Sequence, residues 1–520
     1  MTANPEAHET ARRMADAIRA SSPVPGLTRR SPVHRLGRRR LGAGAVLAQS
    51  FGSIAPAAAS SVTPALAMAV GAGSGAVWSA LLALGAALLI ASMINVFTRR
   101  MAAPSSLYAF AAQGIGRTGG FLSAVALLVG YGAIAMMCVA AATLHFAAVA
   151  GRLAPAFATG AAVVVAAVLI GGLLTALIAV IVRRGTSSTW AVLLGLELLS
   201  VLAVLVACGL LMTTPVEGSS SPPPTPRELP STGFVGLLAG VLVCASGFVG
   251  FESGSALGPE ARRPFRVVPR VIRWTPLISG TVLLISTFAQ VRAFGLTDVD
   301  PAATPAPLHD LLGAFGYGGF WPIALDLAVG CSFALCAIAS LTALVRLLFA
   351  LGTEGVLPSR LARVHRRFRT PTTALAWSLP VVVIVPALCT TAGMPVRDLM
   401  DTLTAVGVLG YMLAYLGVSA AVVPFLRRIG EMTPLPAVGA TVAVIALGVL
   451  IPTYAALQIA TGSGAAVLVM GLIAVVAVIG FVLIRRHRPQ GAQAIGMFDA
   501  TSAEDVLHAA QPSTRGRDRS

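Results

Sequence analysis

Lysine is absent from this chain of 520 residues, and Asp, Glu and Arg together supply only 11% of it. A soluble domain carries about 25% charged residues. A water-facing surface cannot be built from so few, and hydrophobic types at 56% make lipid the expected solvent. Cysteine is sparse as well. Cys138, Cys208, Cys244, Cys331, Cys336 and Cys389 lie in or at the ends of apolar runs, with no CxxC pair. They read as small apolar filler, and neither a disulfide framework nor a metal set follows. A P-loop, an HExxH and a nucleophile elbow are also missing. The missing P-loop argues against an ATP-driven pump, and no catalysis, cofactor or resident metal is expected. No cleavable signal is evident, because the first apolar run is too long for a signal core.

What is present is a series of apolar runs. A helix needs about 20 apolar residues to cross a bilayer, and about twelve runs meet that length. They are Leu41–Met68, Ala76–Phe97, Gly120–Ala150, Pro155–Val182, Thr189–Met212, Gly233–Leu257, Trp274–Phe294, Phe320–Leu351, Thr372–Cys389, Leu399–Phe425, Pro436–Tyr454 and Ala465–Ile484. The fold class is therefore an all-α integral membrane protein. Pro104–Gly116 is too short and mixed to span, and reads as an amphipathic helix in the interface. Ser219–Pro226 and Thr297–Pro307 read as solvated loops. The tail after Arg488 reads as polar and disordered.

The net charge of +17 does not point to nucleic acid, because the Arg residues cluster at span ends. One side collects those at 35–40, 99–117, 183–184, 262–273, 360–369, 427–428 and 485–488. The other receives only Arg152, Arg227, Arg292 and Arg397. Positive loops stay cytoplasmic, so both termini are expected inside, in the cytoplasmic (plasma) membrane.

Two runs are interrupted at mid-depth. The first contains Gly52-Ser53-Ile54-Ala55-Pro56, and the sixth contains Ser246-Gly247-Phe248-Val249-Gly250. Proline removes an amide hydrogen and clashes with the preceding turn. Glycine weakens a helix by about 1 kcal/mol against Ala. Unwound backbone at membrane depth is tolerated where it lines a cavity or is buried in protein. Paired interruptions in two halves of a chain point to a transporter binding site. Half-helix N-termini offer amides to a carboxylate, and freed carbonyls accept from an ammonium. Gly52, Ser53, Ile54, Ala55, Pro56, Ser246, Gly247, Phe248 and Gly250 are the candidate substrate-binding residues.

Four stretches carry a family resemblance: Gly52–Ala58; Arg100–Tyr131, with Pro104-Ser105 and Gly116-x-x-x-Gly120; Gly247–Pro269, with Gly250-Phe251-Glu252 and Pro264-x-x-x-x-Pro269; and Leu344–Pro371, with Arg346 and Gly355-x-Leu357-Pro358. In these the chain resembles the amino acid–polyamine–organocation permease superfamily. The resemblance implies a leucine-transporter-like fold, with spans one to five and six to ten as inverted repeats and two further helices. The division is then a tail at 1–40, a first repeat at 41–212, an outer loop at 213–232, a second repeat at 233–427, helices eleven and twelve at 428–488 and a cytoplasmic tail at 489–520. It also implies a small amino acid or amine as substrate. Many members have Gly-Ser-Gly at the first break, where this chain has Ser53-Ile54-Ala55-Pro56. Arginine exchangers carry a Trp four residues before the position of Gly250. Ser246 stands there, so arginine–agmatine exchange loses support.

Ionised side chains at the bilayer centre cost at least about 2.5–3.5 kcal/mol on insertion scales and face the bundle interior. Glu252 falls where the resemblance puts a proton-sensitive Glu. Glu197, in the fifth run, aligns with a position where several members carry Lys. Both are candidates for proton coupling, and Glu197 also for attracting a cationic substrate. Asp326 reads as a solvated vestibule acid and His145 as a packing residue. Glu260 is expected to pair with Arg262 and Arg263, and Arg346 to snorkel to the interface. The expected function is secondary transport of amino acids by alternating access, with H+ as coupling ion. The alternatives are an exchanger, a polyamine- or ethanolamine-type organocation carrier, and a non-transporting nutrient sensor.

Overall fold

The computed structural model describes residues 31, 33, 35–157, 160–185, 189–213, 231–304 and 306–499. The loop at Ser219–Pro226 lies outside them. The described residues form helices throughout: α1 (Ala43–Ile54), α2 (Pro56–Ala67), α3 (Ala76–Thr98), α4 (Ser106–Leu153), α5 (Gly160–Arg184), α6 (Trp190–Thr213), α7 (Gly233–Ser246) and α8 (Pro264–Leu296). They continue as α9 (Pro307–Ala314), α10 (Phe320–Thr353), α11 (Thr372–Thr391), α12 (Val396–Arg428), α13 (Pro434–Ala460), α14 (Gly464–His487) and α15 (Pro489–Ala494).

Among the described residues, eleven helical stretches are long and apolar enough to cross a membrane. The expected count of about twelve differs at one place. Residues 43–98 form a single stretch of 56 residues, about 84 Å if straight at 1.5 Å per residue. A hydrocarbon core is about 30 Å thick. Gly71 (φ 101°) and Gly73 (φ 51°) interrupt this stretch. The Gly71 carbonyl accepts the Thr232 amide at 3.0 Å. It also abuts Gly236, where an added Cβ would lie 1.9 Å from that oxygen.

The core is α10, α4 and α12. In the most apolar window of α10, 89% of residues are buried, against 11% in α14 and 17% in α13. All three are apolar on every side, so packing separates them, not composition. Helix α4 meets α12 through small residues. A Cβ on Gly410 would lie 2.6 Å from the Ala126 carbonyl, and one on Gly114 would lie 2.2 Å from that of Ala421. Close backbone approach of this kind is how membrane helices gain van der Waals contact without a hydrophobic driving force.

Two peripheral expectations change. The segment before Gly116 is helical, but Gly116 (φ 84°) bends it away from the rest of α4. It is buried in protein instead of lying in the interface. Leu107, Tyr108 and Phe110 are fully covered, and Phe110 stacks on Phe97 at 5.0 Å. Past the expected loop, the chain forms the short helix α9, seated on Leu308, Leu311 and Leu312. The tail after Arg488 is ordered as far as residue 499.

That tail is held by specific bonds. Glu354, just beyond α10, accepts at Oε1 the amides of Gly496 and Met497, each at 2.8 Å, and the Tyr108 hydroxyl at 2.9 Å. Asp499 accepts from Ser31 Oγ at 2.7 Å and pairs with Arg38 at 2.7 Å. Gly496 (φ 102°) turns where a Cβ would strike Ala112 at 2.6 Å. Burial raises the Glu354 pKa to about 7, because a dry site penalises the charged form. The folded state therefore binds the proton more tightly than the unfolded chain. This contribution to stability is full below about 4.5 and is lost as pH rises through about 7. Melting of the purified protein should fall across that window, and Glu354→Gln, which keeps the accepting oxygen, should flatten the fall.

Candidate substrate site at two broken spans

The first break is set by Pro56. Its ring disfavours the α conformation in the residue before it and leaves no amide to continue the helix. Ala55 accordingly takes a left-handed conformation (φ 51°, ψ 60°), and Pro56 opens α2 at the position where a missing amide costs least. The second break follows Ser246. Residues 247–250 form a tight turn, Gly250 (φ 93°) reverses the backbone, and a 3₁₀ helix runs over Phe251–Glu260.

The two breaks lie against each other, and of the predicted binding residues Ser53 and Gly250 come into contact. A Cβ on Gly250 would lie 2.5 Å from Ser53 Oγ and 3.0 Å from the Ser53 carbonyl. Ser50 Oγ donates to the Phe251 carbonyl at 2.8 Å and accepts the Gly254 amide at 3.1 Å. Ser253 Oγ donates to the Gln49 carbonyl at 3.1 Å. Cys336 Sγ, from α10, donates to the Ser53 carbonyl at 3.1 Å. Ser53, Ile54, Ala55 and Phe248 are all buried. Much of the backbone freed by one break is thus satisfied by the other. Ser53 Oγ is buried without a partner.

Glu252 directly follows the second break and is completely buried. Oε1 accepts the Tyr131 hydroxyl of α4 at 3.1 Å, and Oε2 accepts that of Tyr415 on α12. The Tyr415 oxygen also accepts the Gly250 amide at 3.2 Å. Tyr411 stands one turn from Tyr415 and packs edge-on against Tyr131 at 5.3 Å. Three of the six tyrosines therefore enclose one carboxyl. Sequence reasoning passed over all three. Their signal was rarity: polar aromatics in runs of Ala, Val and Leu, two of them spaced i, i+4 on one helical face.

Glu197 is not beside Glu252 but at the other side of the first break. It is buried in α6 and accepts Ser332 Oγ of α10 at 2.7 Å. Ser332 Oγ in turn accepts the Ala58 amide, in the first turn of α2, at 3.3 Å. The other carboxylate oxygen, Oε2, is buried without a hydrogen-bond partner.

The remaining ionisable groups depart from expectation. Asp326 is not solvated: it is 7% exposed, 2.9 Å from His145 Nδ1 and 3.2 Å from Arg152. His145 is thus part of a charged cluster and not only packing. A cavity of about 30 Å³ lies beside this cluster, lined by Ser61, Leu308, His309 and Val329; it is large enough for about one water. Arg346 does not snorkel. It is 3% exposed and donates from Nε to Glu260 Oε1 at 2.8 Å. Glu260 turns to Arg346, not to Arg262 or Arg263, because the 3₁₀ helix folds inward. Its end is held by the Leu41 amide on the Glu260 carbonyl at 2.8 Å.

A variant tests the contact between the breaks. Gly250→Ala forces a side chain into a left-handed conformation and against Ser53. Such strained positions cost about 1–3 kcal/mol, and melting should drop accordingly. Gly85→Ala, with nothing within 4 Å of the added methyl, should leave melting unchanged or raise it.

The amino acid permease family matches the chain over residues 41–482. The branched-chain amino acid permease BcaP of Lactococcus lactis subsp. cremoris is 28% identical over 262 residues, 49% of this chain and 53% of that protein. Cationic amino acid transporter 4 of Mus musculus is 32% identical over 142 residues, 27% of this chain and 21% of that protein. The chain thus matches about half the length of the first relative and less of the second. Among solved structures, a manganese transporter of Eremococcus coleocola superposes with a TM-score of 0.48 at 14% identity, covering 85% of this chain and 95% of that one.

Proposed function

Given that the chain belongs to the amino acid permease family, we propose that it carries amino acids across the cytoplasmic membrane by alternating access, in symport with H+. The observation that carries this reading is the contact of the two breaks, with Glu252 caged directly behind them. In this reading residues 41–212 and 233–427 are inverted five-helix repeats, and residues 428–488 add two helices. Both termini lie in the cytoplasm with the Arg-rich loops.

Substrate occupies the space that opens when Gly250 parts from Ser53. In that opened arrangement the Ala58 amide that begins α2 exchanges its bond to Ser332 Oγ for the substrate carboxylate, and the carbonyls that end α1 and α7 face its ammonium. Glu252 serves as the proton carrier. The bond from the Gly250 amide to Tyr415, and from Tyr415 to Glu252, links the carboxyl to the second break. Moving that break alters the donors around Glu252. A bound proton removes a charge whose burial costs at least about 2.5–3.5 kcal/mol at the bilayer centre.

The test is uptake by proteoliposomes from a panel of amino acids under an imposed pH gradient. Glu252→Gln should lose gradient-driven uptake while keeping counterflow at equal pH. Gradient dependence that survives in the variant would remove Glu252 from the mechanism. Binding without counterflow would favour a nutrient sensor.

A second reading, an organic amine as substrate or exchange partner, is favoured by the unpartnered oxygen of Glu197 beside the first break. A hydrogen bond to a charged group contributes about 1.5–3 kcal/mol. Glu197→Gln should then weaken amine binding roughly ten- to a hundredfold and spare neutral amino acids. Equal losses for both classes would count against it.

A further inference from the structure

A large cleft lies away from the breaks. It has a volume of about 990 Å³ and is walled by α4, α10, α11, α12 and α14, with Leu128, Met136, Leu348, Trp377, Val406 and Ile473 among its lining. Neither α1, α2 nor α7 contributes to it. Two of its walls, α11 and α14, bury only 22% and 11% of their most apolar windows. Their other faces therefore meet the bilayer, and the cleft sits at the lipid-facing edge of the bundle.

At one end the lining changes character. Ser359 and Arg360 follow α10, and Arg488 follows α14. Both Arg are exposed, and neither has a carboxylate partner among the described residues. This is the Arg-rich side of the bundle, whichever leaflet it faces. A soluble apolar ligand would leave two guanidiniums without a counterion. A lipid with an anionic headgroup supplies one, and phosphate matches the planar donor fork of Arg.

We infer that this cleft is a binding site for one anionic phospholipid, its acyl chains along α4, α11 and α14 and its phosphate held by Arg360 and Arg488. Apolar contact alone would not select a lipid, since tails in the cleft and tails in the bilayer are equally apolar. Selection therefore resides in the headgroup. Basic pockets between membrane helices recognise anionic headgroups in this way, and each cationic side chain near the surface contributes about fivefold. The site is independent of transport and stands whether or not the chain moves a solute.

Trp377, within the cleft, provides the readout. Delipidated protein is reconstituted in nanodiscs of phosphatidylcholine containing a minor fraction of lipid with brominated tails. The Trp377 signal is isolated by subtracting the Trp377→Phe variant. Brominated phosphatidylglycerol should quench Trp377 more than brominated phosphatidylcholine at the same fraction. The double variant Arg360→Gln/Arg488→Gln should reduce the difference to nothing; both positions are exposed, so folding is retained and is checked by gel filtration. Equal quenching by the two lipids in the parent protein overturns the proposal, as does a phosphatidylglycerol preference that persists in the double variant.

Discussion

A helix that unwinds inside a membrane leaves amides and carbonyls that lipid cannot satisfy, and the centre of this molecule is arranged around that debt. Pro56 and Gly250 create two such segments. They are brought together so closely that a single methyl on Gly250 would not fit beside Ser53. Ser50 and Ser253 bond across the junction, and Tyr415 joins it to Glu252. The helices that back these segments, α4, α10 and α12, form the core of the bundle. They contribute Tyr131, Cys336 and Tyr415, the side chains that hold the junction in place. The unwound junction is thereby seated against the core helices.

Ionisable groups follow the same rule of mutual satisfaction. Asp326 finds His145 and Arg152, Glu260 finds Arg346, and Glu354 finds two amides and a tyrosine. Buried pairs of this kind add little net stability, because desolvation offsets attraction, but losing one partner is costly. They fix which helices must lie together. Glu197 has one oxygen bonded to Ser332 and the other without a hydrogen-bond partner, and Glu354 likewise bonds through Oε1 alone.

Much of this was legible in the sequence, for physical reasons that also explain the rest. Run length gave most spans, because bilayer thickness demands it. Both breaks were visible, because Pro56 and the glycines around Phe248 disturb a helix wherever it sits. Glu252 and Glu197 stood out as charges in apolar runs. Partners were not legible. Asp326 looked solvated and Arg346 free, because their mates lie 181 and 86 residues away and no local pattern announces such a pairing. The tyrosines around Glu252 were hidden similarly. The order of residues 489–499 was missed because a polar tail becomes ordered only when something buried needs its backbone.

That last point bears on how the molecule is made. Glu354 closes α10, yet the Gly496 and Met497 amides that satisfy it follow α14 in the chain. While a ribosome feeds the helices into the bilayer in order, Glu354 must wait through five later helices, α11 to α15, for its two amide donors. The bonds of residues 496–499 to Glu354, Ser31 and Arg38 can therefore form only once α14 has been made.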